Sequence, residues 1–167
     1  PLIWISLYDY QKQRILTLFN PEADVYGAGW NIVQSKIAVG SGGLFGKGFL
    51  NGSQSQLNFI PESHSDFIFS VIAEEFGLLG ISILFFIYGI LIYRLLMVSY
   101  YSSNKFAKIV SATLSIILLA YISINISMVI GLLPVVGMPL PFLSQGGTAL
   151  VVNLLTIGII LSLRKEV

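Results

Sequence analysis

From Phe76 to Tyr93 the sequence reads "FGLLGISILFFIYGILIY", without one charged residue. An uninterrupted apolar run of this kind crosses a bilayer as a helix, because about 20 apolar residues span the hydrocarbon and a helix satisfies its own backbone there. The reading places spans at residues 67–98, 109–132 and 144–163. Composition agrees: 10% of the 167 residues are charged, where soluble domains carry about a quarter. The fold class expected is an all-α polytopic membrane protein. The net charge of +1, with no Lys/Arg cluster, leaves no footprint for nucleic acid. The absence of cysteine excludes disulfides, thiolate nucleophiles and cysteine-ligated metals, and a lone histidine excludes a multi-histidine zinc site.

The chain opens inside an apolar segment, "PLIWISLYDY", with neither the charged start nor the small-residue cleavage site of a signal peptide. It is therefore expected to be the C-terminal portion of a longer membrane protein, with residues 1–7 ending an earlier transmembrane helix. Arg94, Lys105 and Lys108 lie around the connection at 99–108, and Arg164 and Lys165 lie in the tail at 164–167. The positive-inside rule makes both of these cytoplasmic. The segment 8–66 and the Pro/Gly-rich loop at 133–143 then lie outside. Within 8–66, Trp30, Val33 and Ile37 recur at helical spacing before Gly40 and Gly42, with Gln34 and Ser35 on other faces. That pattern predicts a short amphipathic helix, too short to span.

"GSGGLFGKG" invites comparison with a phosphate-binding loop and fails it, since Ser41 stands where the first glycine is needed and Gly48 where Ser or Thr is needed. A turn that brings backbone and Lys47 near a ligand or the membrane is the better reading. Ser63, His64 and Asp66 can be written as a triad, but near neighbours do not produce that geometry by themselves.

"PESHSDFIFSVIAEEFGLLG" gathers Glu62, His64, Asp66, Glu74 and Glu75 at the entrance of the first span. Ser63 or Ser65 can cap a helix starting there, and Asp66 in its first turn suits the macrodipole. Glu74 and Glu75 lie deeper, where acids are costly and usually paired or functional. On an ideal helix Glu74 sits about 80° from Asp66 and Glu75 about 180° away. Only Glu74 is then expected to share Asp66's side, leaving Glu75 to find another partner.

Three stretches in fixed order, "DYQKQRILTLFNPEAD", "QSKIAVGSGGLFGKGFLNGSQSQLNFIPESHSDFIFSVIAEEFGLLG" and "GLLPVVGMPLPFLSQGGTALVVNLL", cover nearly the whole chain. They resemble the SEDS family of shape, elongation, division and sporulation proteins, its rod-shape members more than its division members. The resemblance implies the C-terminal helices of a fold of about ten transmembrane helices with a large extracellular loop. It also implies a peptidoglycan glycosyltransferase in the bacterial cytoplasmic membrane, polymerising lipid II into glycan on the outer face for cell-wall elongation. Implied partners are lipid II and the growing glycan strand, a class B penicillin-binding protein and other membrane proteins of the elongation complex. The family's H-[ST]-D-F-I-F motif puts the proposed catalytic aspartate on Asp66. Its P-x-x-S-x-G-G motif falls on Pro141, Ser144, Gly146 and Gly147, with Gln145 where many members have tyrosine.

For that chemistry Asp66 is the candidate base. Lys47, Lys36, Arg14 or a divalent cation (Mg²⁺ or Mn²⁺) are candidates to balance the pyrophosphate leaving group, Lys47 being favoured. Glu74 and Ser144 complete the candidate substrate-binding set. Two other classes fit an acidic outer site: a lipid-flipping transporter, and a non-catalytic scaffold for the penicillin-binding protein. No internal repeat of the transporter kind is visible. Four spans or fewer cannot enclose the cavity of the larger fold, so the 167-residue chain alone is expected to be inactive.

Overall fold

The structure, a computed structural model, describes residues 7–20, 28–53 and 65–164. Expectations that fall on residues 1–6, Glu62, Ser63, His64 or Lys165 lie outside these. Within them are five helices: α1 (Asp9–Phe19), α2 (Ala28–Ser41), α3 (Ile68–Tyr101), α4 (Lys105–Val129) and α5 (Gly147–Leu163). Two, α3 and α4, are long and apolar enough to cross a membrane, and α5 is a shorter apolar helix of 17 residues. The described residues contain helices and loops without a strand.

α3 and α4 form the central hairpin. The expected connection at 99–108 shrinks to Ser102–Asn104, because Asn104 starts α4 earlier. Its side chain accepts from the Phe106 N–H at 2.9 Å, which satisfies one of the donors a helix start leaves unpaired. The Ser99 hydroxyl donates across the turn to the Lys108 carbonyl at 2.8 Å. Lys105 and Lys108 therefore ride on the helix.

At its other end α4 stops in a glycine-dependent cap. Gly131 has φ +73; its N–H reaches the Met128 carbonyl and the Leu132 N–H reaches Ser127 at 2.7 Å. This paired closure requires the left-handed conformation that glycine adopts without penalty. Ser35 of α2 closes a further carbonyl, its hydroxyl donating to Val129 at 2.8 Å.

That bond marks the face of α2 that packs on the protein. Ile32, Ser35 and Ala38 are buried, Gln34 with them, whereas Ile37 is exposed. The apolar row is half-buried at Trp30 and Val33 and exposed at Ile37; the packed face is decided by a hydroxyl that fits an unpaired helix carbonyl, and by an alanine small enough for close approach.

The segment from Gly131 to Gly146 is non-helical and folds back into the bundle. Leu140 and Pro141 are buried, and the Tyr88 hydroxyl donates to the Pro141 carbonyl at 2.6 Å. Tyr88 stands about 16 Å along α3 from Gly77 at about 1.5 Å per residue, so the loop folds back along the helix in the manner of a re-entrant turn.

Candidate functional site

The first element of the site is a break in α3. Gly77 has φ 61 and ψ −157 inside an otherwise continuous helix. In an unbroken helix the N–H groups of Leu78 and Leu79 would bond the carbonyls of Glu74 and Glu75. Here the glycine-rich turn after α2 inserts between them. The Lys47 N–H donates to the Glu74 carbonyl at 2.9 Å and the Gly48 N–H to Glu75 at 3.0 Å. In return, Leu78 N–H donates to the Gly43 carbonyl at 2.9 Å and Leu79 N–H to Leu44 at 3.1 Å. These backbone groups, freed by the break, are thus repaired by the turn, as buried polar backbone demands. A Cβ on Gly42 or Gly46 would collide with α3 backbone, so the glycines serve close approach to a helix rather than to a phosphate.

This insertion decides the fate of the acids. The Glu74 carboxylate is 0% exposed and accepts from the Lys47 ammonium at 2.6 Å and the Ser53 hydroxyl at 3.0 Å. Lys47 also donates to Ser53 at 2.9 Å, with its side chain 31% exposed. Lys47 and Glu74, two sequence candidates for substrate binding, are therefore brought together as an ion pair. Glu75 is buried too, and among the described residues it takes part in no ion pair.

Asp66 does not lie on the helix. It sits in the turn Ser65–Phe67, and Phe67 is the N-cap residue with no side-chain cap, so Ser65 does not fill the expected capping role. The helical-wheel relation between Asp66 and Glu74 accordingly does not apply. The Asp66 turn is held by the re-entrant loop and α4. The Asn125 amide donates to the Asp66 carbonyl at 2.8 Å and to the Met138 carbonyl at 2.6 Å. The Ser144 hydroxyl donates to the Ser65 carbonyl at 2.6 Å while accepting from the Leu140 N–H at 2.6 Å. The Asp66 carboxylate lies over Gly137, where a Cβ would come 3.5 Å from Oδ2.

Two sequence-named cations reach the same loop. Arg14 of α1 donates from Nη1 to the Val135 carbonyl at 2.6 Å, and the end of the Lys36 side chain lies across Gly131. Asp66, Arg14, Lys36 and Ser144 are therefore assembled around residues 131–144, whereas Lys47 and Glu74 pair with each other at the α3 break. The sequence reading missed Asn125, Gly77 and Gly137. The one available signal for Asn125 was an amide inside the uncharged run "AYISINISMVIGL". Among the described residues no three His, Asp or Glu side chains gather as a metal site.

Comparison with known proteins places this arrangement in context. The FtsW/RodA/SpoVE family model, described as a cell cycle protein, matches residues 1–167. Over 99% of its length the chain is 52% identical to the peptidoglycan glycosyltransferase MrdB of Escherichia coli K12, covering 45% of that protein. It is 37% identical to the peptidoglycan glycosyltransferase RodA of Treponema pallidum, over 96% of the chain and 37% of the relative. A chain from a solved peptidoglycan synthase complex, described as coordinating polymerization and crosslinking, superposes with TM-score 0.78 at 27% identity. That match covers 98% of this chain and 44% of the other. The chain thus spans less than half the length of these relatives.

Proposed function

The chain belongs to the FtsW/RodA/SpoVE family, and from that premise we propose that it forms the glycan-polymerising face of a peptidoglycan glycosyltransferase. The observation that carries the reading is 52% identity over 99% of the chain to a protein named for that activity. The substrate proposed is lipid II, polymerised on the outer side of the bacterial cytoplasmic membrane for cell elongation. A class B penicillin-binding protein is the proposed partner, in keeping with the solved synthase complex that the chain resembles.

In the proposed reaction Asp66 accepts the proton of the attacking sugar hydroxyl. A C–O bond forms at the anomeric carbon of the donor, the bond to pyrophosphate breaks, and undecaprenyl pyrophosphate leaves with its electron pair. A pyrophosphate leaving group needs charge compensation more than a strong acid. Arg14 and Lys36 suit that task better than Lys47, because both flank the loop that faces Asp66, whereas the Lys47 charge is already balanced by Glu74.

The test is Asp66→Asn in the full-length protein. A positioned base contributes about 10²–10⁴-fold, so polymerisation of purified lipid II is expected to fall by at least about a hundredfold at normal expression. A wild-type rate would remove Asp66 from the role. Lipid II transbilayer movement in liposomes without polymerisation would favour a transporter, and activity in neither assay would favour a scaffold.

A further inference from the structure

Asn125 is the most conspicuous polar group that the proposed reaction leaves without a task. It lies one turn from the end of α4 and is 0% exposed. Its Nδ2 spends both hydrogens on main-chain carbonyls that are distant in sequence, Asp66 at 2.8 Å and Met138 at 2.6 Å. Two carbonyl partners fix which end of the amide is nitrogen. Its Oδ1 is buried and, among the described residues, has no hydrogen-bond partner. An unmatched buried acceptor carries the full desolvation penalty of that oxygen. Interhelical amides in membranes are ordinarily glue, but glue alone does not explain retaining an orphan oxygen at a fully buried position.

The two carbonyls explain it better. Met138 follows Gly137, the residue over which the Asp66 carboxylate lies. By gripping Asp66 and Met138 with one planar NH₂, Asn125 fixes the separation between the aspartate and the floor beneath it. Ser144 performs the matching task one residue earlier, at the Ser65 carbonyl. The turn presenting Ser144 is itself strained, with Phe142 at φ 66, a left-handed conformation that a bulky residue keeps only when its surroundings enforce it. Consecutive carbonyls at 65 and 66 are therefore anchored, the first by Ser144 of that turn and the second by Asn125 of α4.

We propose that Asn125 is a positioning residue for Asp66, its amide setting the carboxylate against Gly137 so that it meets the attacking sugar hydroxyl, with Ser144 locking the preceding residue. The proposal rests on the reading of Asp66 as the base. It assigns Ser144 to this clamp, since its hydroxyl already donates to one main-chain group and accepts from another.

The test uses the full-length protein, purified lipid II and hydrogen exchange followed by mass spectrometry. Small displacements of a catalytic group cost up to about a hundredfold, so Asn125→Ala is expected to lower kcat at least about tenfold. KM should stay within about twofold, because Arg14 and Lys36 are untouched. Exchange should rise together in residues 65–70 and 136–144. Leu118→Ala removes a buried side chain of the same helix and is expected to lower the melting temperature while leaving kcat near wild type.

A wild-type kcat in Asn125→Ala would overturn the proposal, as would a loss that Leu118→Ala shares at equal loss of stability. If Asn125→Ala does not fold, Asn125→Asp decides: the protonated acid offers one donor and the carboxylate none. Its activity relative to wild type should climb as pH falls, and a flat ratio would overturn the proposal. An active Asp66→Asn would sink the base assignment alone, and the exchange data would still report whether Asn125 holds the two segments together. Unchanged exchange in Asn125→Ala would refute the clamp whatever the fate of Asp66.

Discussion

A methyl group added at Gly46 would sit 2.6 Å from the Phe76 nitrogen and closer still to the Glu75 carbonyl, all of it backbone of the broken helix. Neither side can yield without disturbing the splint that repairs the break. Gly46 also has φ +78, which costs an alanine about 1–2 kcal/mol before any clash. Displacing the turn loses the Lys47 and Gly48 N–H bonds to Glu74 and Glu75, each contributing about 1 kcal/mol net and more if the carbonyls stay buried and unpaired. Gly46→Ala is therefore expected to destabilise by about 3–5 kcal/mol, in the range of the most damaging single substitutions.

Two neighbouring glycines calibrate that figure. Gly43 has φ +58 with nothing within 4 Å of an added methyl, and Gly40 lies in α2 with equally open space. Gly43→Ala should cost only the left-handed penalty of about 1–2 kcal/mol, and Gly40→Ala should stabilise by about 0.5–1 kcal/mol through helix propensity. Thermal unfolding of the full-length protein in detergent ranks the three. The reasoning fails if Gly46→Ala proves as stable as Gly43→Ala, since both have positive φ and they differ in what the methyl meets.

Two further outcomes follow from the same geometry. Lys47→Met removes the countercharge of the fully buried Glu74 carboxylate and is expected to lower stability by about 3–5 kcal/mol, with the double substitution Lys47→Met/Glu74→Leu recovering much of the loss; thermal unfolding of both variants beside the parent checks this. Arg14→Ala and Lys36→Ala should each slow lipid II polymerisation by about tenfold or more while leaving the melting temperature nearly unchanged; a normal rate in both would discard them as the compensating charges.

The three apolar helices were legible because an uncharged run has few other fates, and two of them are long and apolar enough to cross a membrane; caps at Asn104 and Gly131 moved both ends of α4. Asp66 was singled out through its motif, and its place beside the loop at 131–144 was not legible there. What lay beyond the sequence depends on partners far along the chain. Lys47 meets Glu74 27 positions away, and nothing local announces that the greasy segment will open at Gly77 to admit a loop. Apolar spacing announced the α2 helix but not its packed face, which Ser35 sets by donating to a carbonyl on α4. Asn125 was passed over because a single amide in a span reads as tolerated polarity until its two acceptors are seen.

The break at Gly77 also has a mechanical meaning. A continuous helix transmits torque along its axis through its own hydrogen-bond ladder, but two rods meeting at a non-helical residue do not. Here the rungs across the joint run through residues 43–48. A rotation of the long apolar rod therefore reaches the Asp66 end through that splint, and a displacement of the splint acts on both rods at once, since it bonds Glu74 and Glu75 on one side and Leu78 and Leu79 on the other. The residues that look like a flexible linker act as the coupling between two shafts.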